Sequence, residues 1–194
     1  MTPEDARAVE QLIPNLRRYA RALVRDPDLA DDLVQDCLER AISRFHYFEP
    51  GTNLRGWLFT ILLNIVRSHT RSAKWRNQAL PLDELNSRAT VPGSQEVSLT
   101  MRDLQRAFDQ LAPSFREVIM IVAVEGLSYE EAAGIIGTPV GTVRSRLSRA
   151  RSQLREALEG VAAQSKMSGQ AAAVDPEVDV GFLERMMRLR DAPA

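Results

Sequence analysis

The fold of this chain is decided by residues 127–147, which read LSYEEAAGIIGTPVGTVRSRL. Ser128 is a favourable helix N-cap, and Glu131 three residues later completes a capping box. Gly137 tolerates the positive φ of a tight turn. Thr138 is suited to cap the next helix, and the proline that follows it is suited to the first helical position. The pattern therefore predicts a helix-turn-helix.

The second helix of this motif, predicted over residues 139–158, has two distinct faces on a helical wheel. Its apolar stripe contains Val143, Leu147, Ala150, Leu154 and Leu158. Small residues lie opposite, flanked by arginines, as in a recognition helix that approaches DNA closely and reaches base edges or phosphates. The alternative is an ordinary surface helix with solvated arginines. The predicted DNA contacts are Thr138, Gly141, Thr142, Arg144, Ser145, Arg146 and Arg149.

The net charge of −1 at pH 7 conceals an uneven distribution of charge along the chain. Residues 1–50 carry 7 basic and 10 acidic side chains. Residues 51–80 carry 5 basic side chains and no acidic one, and the same is true of residues 138–155. Acid-free basic segments favour contact with phosphate, the main sequence-independent source of affinity for DNA. The sequence therefore predicts two separate DNA contacts.

Apolar residues recur at helical spacing along most of the chain, and strand patterns are absent. We therefore predict an all-α fold. Pro14 predicts a kink or a late start for the first helix, and Asp28 is a plausible N-cap for the second. A loop is predicted between the second and third helices, around Pro50. The predicted helices span residues 5–24, 29–44, 54–75, 97–111, 113–125, 128–136 and 139–158.

Changes in composition divide the chain into four segments. Residues 5–76 and 98–159 are predicted to form two small helical domains, and the proline- and serine-containing residues 77–97 are predicted to be a flexible linker. Residues 160–194 form a C-terminal extension, in which a small and polar spacer over 160–176 precedes a short amphipathic stretch. That stretch is either a disordered tail or a helix that docks on another surface.

Several classes of protein are disfavoured by the composition. No segment has the length of apolar residues that a membrane span requires, and the N-terminus lacks a signal layout, so we expect a cytoplasmic protein without membrane insertion. The single cysteine, Cys37, lies in an apolar helical stripe and is expected to be a buried, inert thiol; a redox sensor is the alternative. No metal-ligand spacing, cofactor motif or catalytic constellation is present, so we expect neither a metal nor a cofactor, and no enzyme.

Residues 126–133 (GLSYEEAA) and 139–151 (PVGTVRSRLSRAR) resemble region 4 of extracytoplasmic-function (ECF) sigma factors, the module that reads the promoter −35 element. Residues 31–42 (DDLVQDCLERAI) and 53–64 (NLRGWLFTILLN) resemble region 2 of the same family. The resemblance covers roughly residues 8–158. The departures from the family pattern are apolar substitutions at Ile42, Leu54 and Leu63.

The resemblance implies a stress-response sigma factor that binds the β′ coiled coil and β flap of core RNA polymerase and directs promoter-specific initiation. It also implies control by an anti-sigma factor. An acidic helix of region 2 would dock on the polymerase, although a merely solvated acidic face is the alternative. The residues of this helix that would bind core polymerase are Asp31, Asp32, Gln35, Asp36 and Glu39.

The following loop and helix would bind the −10 element, because unstacked bases bind aromatic side chains and cationic grooves. The loop aromatics are either DNA contacts or a hydrophobic plug beneath the loop, and Trp57 is expected in the core. Asn64, Arg67, Ser68 and Arg71 share one helical face. The predicted −10 contacts are His46, Tyr47, Phe48, Asn53, Asn64, Arg67, Ser68, Arg71 and Lys74.

Two other functions compete with this interpretation. A free-standing helix-turn-helix regulator would need its own dimer interface but neither the acidic helix nor the aromatic loop. A sigma mimic that captures an anti-sigma factor without binding DNA would not need the arginines after Pro139, which are present.

Overall fold

The computed structural model describes residues 1–78 and 98–168. Every regular element in these ranges is helical, which confirms the all-α class. A 3-10 turn, Phe45–Tyr47, follows the second helix, and a π-helical segment, Ile119–Val124, continues the fifth. The α-helices are α1 (Pro3–Val24), α2 (Pro27–Ser43), α3 (Leu54–Gln78), α4 (Ser98–Gln110), α5 (Pro113–Val118), α6 (Tyr129–Ile136) and α7 (Val140–Ser168).

Helix α1 begins with a capping box formed by Thr2 and Asp5, which was not predicted. The Thr2 hydroxyl accepts a hydrogen bond from the Asp5 N–H at 3.2 Å, and the Asp5 carboxylate accepts one from the Thr2 N–H at 2.8 Å. These bonds satisfy donors that have no partner within a helix at its first turn. The predicted late start at Pro14 is therefore wrong, since the helix begins at Pro3 and Pro14 lies inside it.

Helix α2 begins at Pro27, two residues before its predicted start at residue 29. Asp26, rather than Asp28, is the N-cap, and its carboxylate accepts hydrogen bonds from the N–H groups of Asp28 and Leu29 at 3.0 and 3.1 Å. Pro27 takes the first helical position, where its missing N–H is not needed and its fixed φ suits the helix. Asp28 thus lies in the acidic first turn.

The structure divides into two compact units that do not follow the order of the chain. The first unit combines α1, α2 and α3 with the segment Leu127–Val140, which contains α6. The second contains α4, α5, the π-helical segment and α7 from Gly141 onward. The sequence placed α6 in the second domain, residues 98–159, because it is adjacent in the chain to the helices on either side of it.

The core of the first unit lies between α1, α2 and α3, which pack against one another. The rings of Tyr19 and Phe59 meet edge to face at a centroid distance of 5.0 Å. The Cys37 thiol is fully buried and donates to the Leu58 carbonyl at 3.6 Å, and burial raises its pKa to about 12. The prediction of a packed thiol is confirmed, and a thiol that does not ionise near neutral pH is a poor nucleophile.

The second unit buries apolar residues from all of its helices. Phe108 of α4 is fully buried, and on α7 the predicted stripe is buried at Val143, Leu147, Ala150 and Leu154. The predicted helix over 113–125 is α-helical only to Val118. It then continues as a π-helix, in which the Glu125 N–H donates to the Met120 carbonyl at 2.9 Å. Such segments commonly mark functional or strained sites.

The predicted linker and extension lie largely outside the described residues. Helix α3 runs through Gln78, so the linker predicted over 77–97 begins later than expected. Helix α7 continues to Ser168, so the first part of the spacer predicted over 160–176 is helical instead. The amphipathic stretch after residue 176 falls outside the described ranges. Within those ranges, no helix combines the length and apolarity needed to cross a bilayer.

Candidate nucleic-acid interface

Helix α6 has the capping box and turn that its sequence predicts. The Ser128 hydroxyl accepts from the Glu131 N–H at 3.1 Å, and the Glu131 carboxylate accepts from the Ser128 N–H at 2.8 Å. That backbone hydrogen bond is the main cause of a lowered pKa of the Glu131 carboxyl. At the other end, Gly137 adopts a φ of 72°, and its N–H donates to the Ala133 carbonyl at 2.9 Å. Both predicted ends of the helix are confirmed.

Helix α7 exposes the residues that were predicted to lie opposite its apolar stripe. Gly141, Arg144, Ser145 and Arg149 are exposed, and we call this set the α7 face. Thr142 and Arg146 are half-buried beside it.

The predicted cap of α7 is wrong. The Thr138 hydroxyl oxygen is buried and makes no hydrogen bond within the described part of the chain. The Thr138 N–H instead donates to the Ala133 carbonyl at 3.1 Å, as part of the turn that ends α6. The residue therefore belongs to the end of one helix rather than to the start of the next.

The loop after α2 separates its aromatic side chains into two groups. His46 and Tyr47 are exposed, with ring centroids 4.0 Å apart, and Tyr47 has 75% of its surface accessible. Phe48 is half-buried and packs on Phe45 and Trp57, with centroids 5.4 Å from each. Phe48 therefore agrees with the hydrophobic plug, the second alternative for these aromatics, because neighbouring rings cover it. His46 and Tyr47 are accessible, as a DNA contact would require, whereas Phe48 is not.

Helix α3 presents a second basic face. Asn64, Ser68 and Arg71 are exposed, whereas Arg67 is half-buried; these four residues are the α3 face. The Arg67 guanidinium donates to the backbone carbonyl of Ile136, the last residue of α6, at 3.0 Å. Lys74 lies further along α3, but its side chain is outside the described residues.

Asn53 links the first turn of α3 to the first turn of α6. Its side-chain oxygen accepts from the Gly56 N–H at 2.9 Å, which caps α3. Its amide nitrogen donates to the Glu131 carboxylate at 2.5 Å, across 78 residues of sequence. A Cβ at Gly56 would lie 3.3 Å from the Asn53 amide carbon, so glycine keeps this cap unobstructed. Neither the Glu131 carboxylate nor the Ile136 carbonyl is predictable as a partner from the sequence, since nothing local encodes such a distant contact.

The acidic face of α2 is exposed at Asp32, Gln35, Asp36 and Glu39. The Gln35 amide donates to the Glu39 carboxylate at 3.2 Å. Asp31 differs from its neighbours, because it is half-buried and forms ion pairs at 3.5 Å with Arg17 and Arg21 of α1; the sequence analysis missed these pairs.

Two family models match separate parts of the chain. The sigma2 domain of PhyR matches residues 9–63, and sigma-70 region 4 matches residues 101–154. Among curated proteins, the ECF RNA polymerase sigma factor EcfG of Rhodopseudomonas palustris is 41% identical over 142 residues, which is 73% of this chain and 78% of that protein.

The chain is also similar to solved structures of sigma factors. The sigma factor RpoE of Bartonella quintana, in complex with the anti-sigma factor NepR, is 38% identical, with a TM-score of 0.73 over 81% of this chain and 98% of that one. CnrH, in complex with the cytosolic domain of CnrY, is 27% identical, with a TM-score of 0.56 over 80% and 87% of the two chains.

The matches to sigma region 2 and region 4 models define a sigma factor. The chain belongs to the ECF family of RNA polymerase sigma factors. It is a transcription initiation factor that binds core RNA polymerase and promoter DNA.

Proposed function

We propose that the α7 face reads the −35 element, as part of a domain that spans residues 98–159 and lies beside the β flap of the polymerase. The observation that supports this most strongly is the exposure of an arginine-bearing face on α7, within a stretch of chain, 138–155, that has no acidic residue. Small exposed residues at Gly141 and Ser145 permit close approach of a DNA groove, and arginine binds base edges and phosphates. The proposed contacts are Thr138, Gly141, Thr142, Arg144, Ser145, Arg146 and Arg149.

The −10 element is assigned to the first domain, residues 5–76. The exposed pair His46 and Tyr47 supports stacking with an unpaired base, and the α3 face supports contact with the backbone of the displaced strand. Phe48 contributes by fixing the loop against Trp57 rather than by stacking on a base. The proposed contacts are His46, Tyr47, Asn53, Asn64, Arg67, Ser68, Arg71 and Lys74.

The acidic face of α2 is the proposed docking surface for the β′ coiled coil. Exposed carboxylates steer and orient a basic partner. Four of the predicted residues, Asp32, Gln35, Asp36 and Glu39, are exposed and fit this role. Asp31 is assigned a supporting role, because its ion pairs with Arg17 and Arg21 hold α1 and α2 together.

Runoff transcription tests the proposal as a whole. We expect the purified chain with core polymerase to yield discrete transcripts from genomic DNA fragments, whereas core polymerase alone yields none. Asp36→Lys should abolish these transcripts. Glu4→Lys, a matched charge reversal at an exposed acid of α1, should retain them. Absence of promoter-specific transcripts with the wild-type chain would contradict the assignment.

The same assay separates the two competing functions. A free-standing regulator would bind DNA without supporting initiation by core polymerase. A sigma mimic would bind neither DNA nor polymerase; the match of residues 9–63 to the sigma2 domain of PhyR keeps that candidate relevant. The arginines of the α7 face favour the sigma factor, because a mimic has no need of them.

We further propose that an anti-sigma factor holds the chain inactive in the cytoplasm, where core polymerase acts, and that the chain itself carries no catalytic centre. The support is that two similar proteins were solved in such complexes, RpoE with NepR and CnrH with the cytosolic domain of CnrY. A tagged chain should co-purify with a partner that stops runoff transcription when it is added back. A co-purified protein without effect on transcription would count against this control.

A further inference from the structure

Helix α6 is held against α3 by hydrogen bonds at both of its ends. The Asn53 amide donates to the carboxylate of Glu131 in its first turn, at 2.5 Å. The Arg67 guanidinium donates to the carbonyl of its last residue, Ile136, at 3.0 Å. Because α6 is only eight residues long, two contacts at opposite ends fix both its position and its direction along α3. We call this pair of contacts the α3–α6 clasp.

The side chains of Asn53 and Glu131 are preorganised by hydrogen bonds to their own helices. The Glu131 carboxylate is oriented by the Ser128 N–H, at 2.8 Å, and its second oxygen faces Asn53. The Asn53 amide is oriented by the Gly56 N–H at 2.9 Å. Each side chain therefore caps its own helix and reaches the other helix at the same time, so that little further side-chain ordering is required to form the contact.

The clasp engages two of the side chains that the proposed function assigns to the −10 element. While Arg67 donates to Ile136 and Asn53 donates to Glu131, those donors are turned toward protein rather than toward DNA. A carboxylate at the same place also repels phosphate. The two ligands differ in strength: a backbone carbonyl is neutral, whereas a phosphate forms a charge-assisted bond with arginine that is roughly twice as strong.

We propose that the α3–α6 clasp is an autoinhibitory contact, in which the first helix of the −35-reading motif holds Asn53 and Arg67 of the −10-binding surface until single-stranded promoter DNA displaces it. The inference rests on the proposed function, because it takes Asn53 and Arg67 to be DNA contacts. It adds a regulatory step within the chain itself, before any anti-sigma factor acts. Opening requires α6 to leave α3, and the population of the open state then limits the apparent affinity for DNA.

The test uses three full-length variants on the α6 side, so that every proposed DNA contact stays intact. Glu131→Ala removes the acceptor of Asn53 together with the capping box. Ser128→Ala is the matched control, since it disrupts the same capping box but leaves the carboxylate that Asn53 binds. Glu131→Gln keeps an acceptor oxygen and a capping side chain while it removes the negative charge.

Two measurements are made on each variant. The first is the NMR signal of the Asn53 side-chain amide in the ¹⁵N-labelled chain, which reports the clasp directly. The second is the fluorescence anisotropy of a short fluorescein-labelled single-stranded DNA of random sequence, because phosphate contacts do not depend on base sequence. We expect Glu131→Ala to shift the amide signal and to bind the DNA roughly threefold to tenfold more tightly, in line with the loss of one hydrogen bond. Ser128→Ala should stay close to the wild type in both measurements. Glu131→Gln keeps only a neutral acceptor and should therefore fall between the wild type and Glu131→Ala.

The outcomes separate failure of the clasp from failure of the proposed function. An Asn53 signal that is identical in Glu131→Ala and the wild type would overturn the clasp. A shifted signal with unchanged DNA affinity would overturn its inhibitory role. Equal gains in affinity for Glu131→Ala and Glu131→Gln would assign the effect to the charge of the carboxylate, and not to the clasp. If no form binds DNA while the signal shifts as expected, the −10 assignment fails, and the inhibitory role fails with it.

Discussion

The α7 face and the α3 face are both basic, but they differ in what holds their side chains. On α7, the small residues Gly141 and Ser145 and the arginine at position 149 are exposed to solvent. On α3, Arg67 is half-buried and bonded to the end of α6. The chain segments that contain them have equal numbers of basic residues and no acid, so composition does not distinguish the two faces.

The difference indicates that the two promoter contacts are reached in different ways. A side chain that is already exposed binds DNA at no cost beyond its own ordering and desolvation. A side chain that is bonded elsewhere must first exchange its partner, and the population of the exchanged state reduces its apparent affinity. We therefore expect the α7 face to engage duplex DNA first and the α3 face to engage during strand opening.

Reversal of charge on the α7 face should have the largest effect. Arg149→Glu removes a cation and adds an anion beside phosphate, and we expect promoter affinity to fall about 100-fold, since a single arginine contact is worth about 1–3 kcal/mol. Gln153→Glu, an exposed position one turn further along α7, is the control and should lose far less. Mobility shifts of holoenzyme on promoter DNA measure both. Equal losses would show that general charge, rather than this face, determines affinity.

The aromatic loop allows a sharper test. Substitution of an exposed ring should reduce DNA opening, whereas substitution of a packed ring should reduce stability. Tyr47→Ala should reduce open-complex formation about tenfold, by loss of base stacking worth roughly 1–3 kcal/mol, and should leave the free energy of unfolding unchanged. Phe48→Ala should lower the free energy of unfolding by about 2 kcal/mol, because it opens a gap beside Trp57. Permanganate footprinting and chemical denaturation separate these effects. A destabilised Tyr47→Ala variant would contradict the division of the loop.

A smaller effect is expected at Arg71, which is the exposed arginine of the α3 face. Arg71→Ala should weaken DNA binding uniformly across sequences and reduce the salt slope of log K by about 1, as expected for one lost phosphate contact. Arg7→Ala removes the same charge at an exposed site on a different helix, α1. Its salt slope should match that of the wild type. If both variants lower the slope equally, Arg71 has no specific role.

Much of the fold was predictable because its signals are local. Capping residues at Ser128 and Glu131, positive φ at Gly137 and the apolar spacing of α7 all act within one or two helical turns. Errors arose where two local signals compete. Asp26 and Asp28 are both good caps, and the choice falls on Asp26 because Pro27 prefers the first helical position.

The candidate site was predictable only as a set of residues, and not as a set of contacts. The exposed positions of α7 follow from a helical wheel of its sequence. The acidic face of α2 follows from the helical spacing of its acidic residues. The partners of Arg67, Asn53 and Asp31 do not follow from either, since they lie on other helices: Ile136, Glu131 and the pair Arg17 and Arg21. Long-range contacts depend on how helices pack, which no short pattern encodes.

Lowering the pH should have the smallest effect. Its consequences should differ between the capping box of α1 and that of α6. Hydrogen bonds from Thr2 and Ser128, first of all from their backbone N–H groups, lower the pKa values of Asp5 and Glu131 below their ordinary values of 3.8 and 4.5. A carboxyl whose pKa is lowered by folding stabilises the fold above its unfolded pKa, and that contribution is lost as the pH falls through the folded value. The start of α6 should therefore fray progressively as the pH falls below about 4.5, and the start of α1 as it falls below about 3.8, as hydrogen exchange would report.

Only protonation of Glu131 should also weaken the α3–α6 clasp, because a neutral acid is a poorer acceptor for the Asn53 amide. The Asn53 side-chain signal should thus titrate in the wild type and in Asp5→Asn, and it should stay constant in Glu131→Gln. A signal that titrates in Glu131→Gln would place the responsible group elsewhere. In that case Glu131 would not be the reason why the α3 face and the α7 face differ.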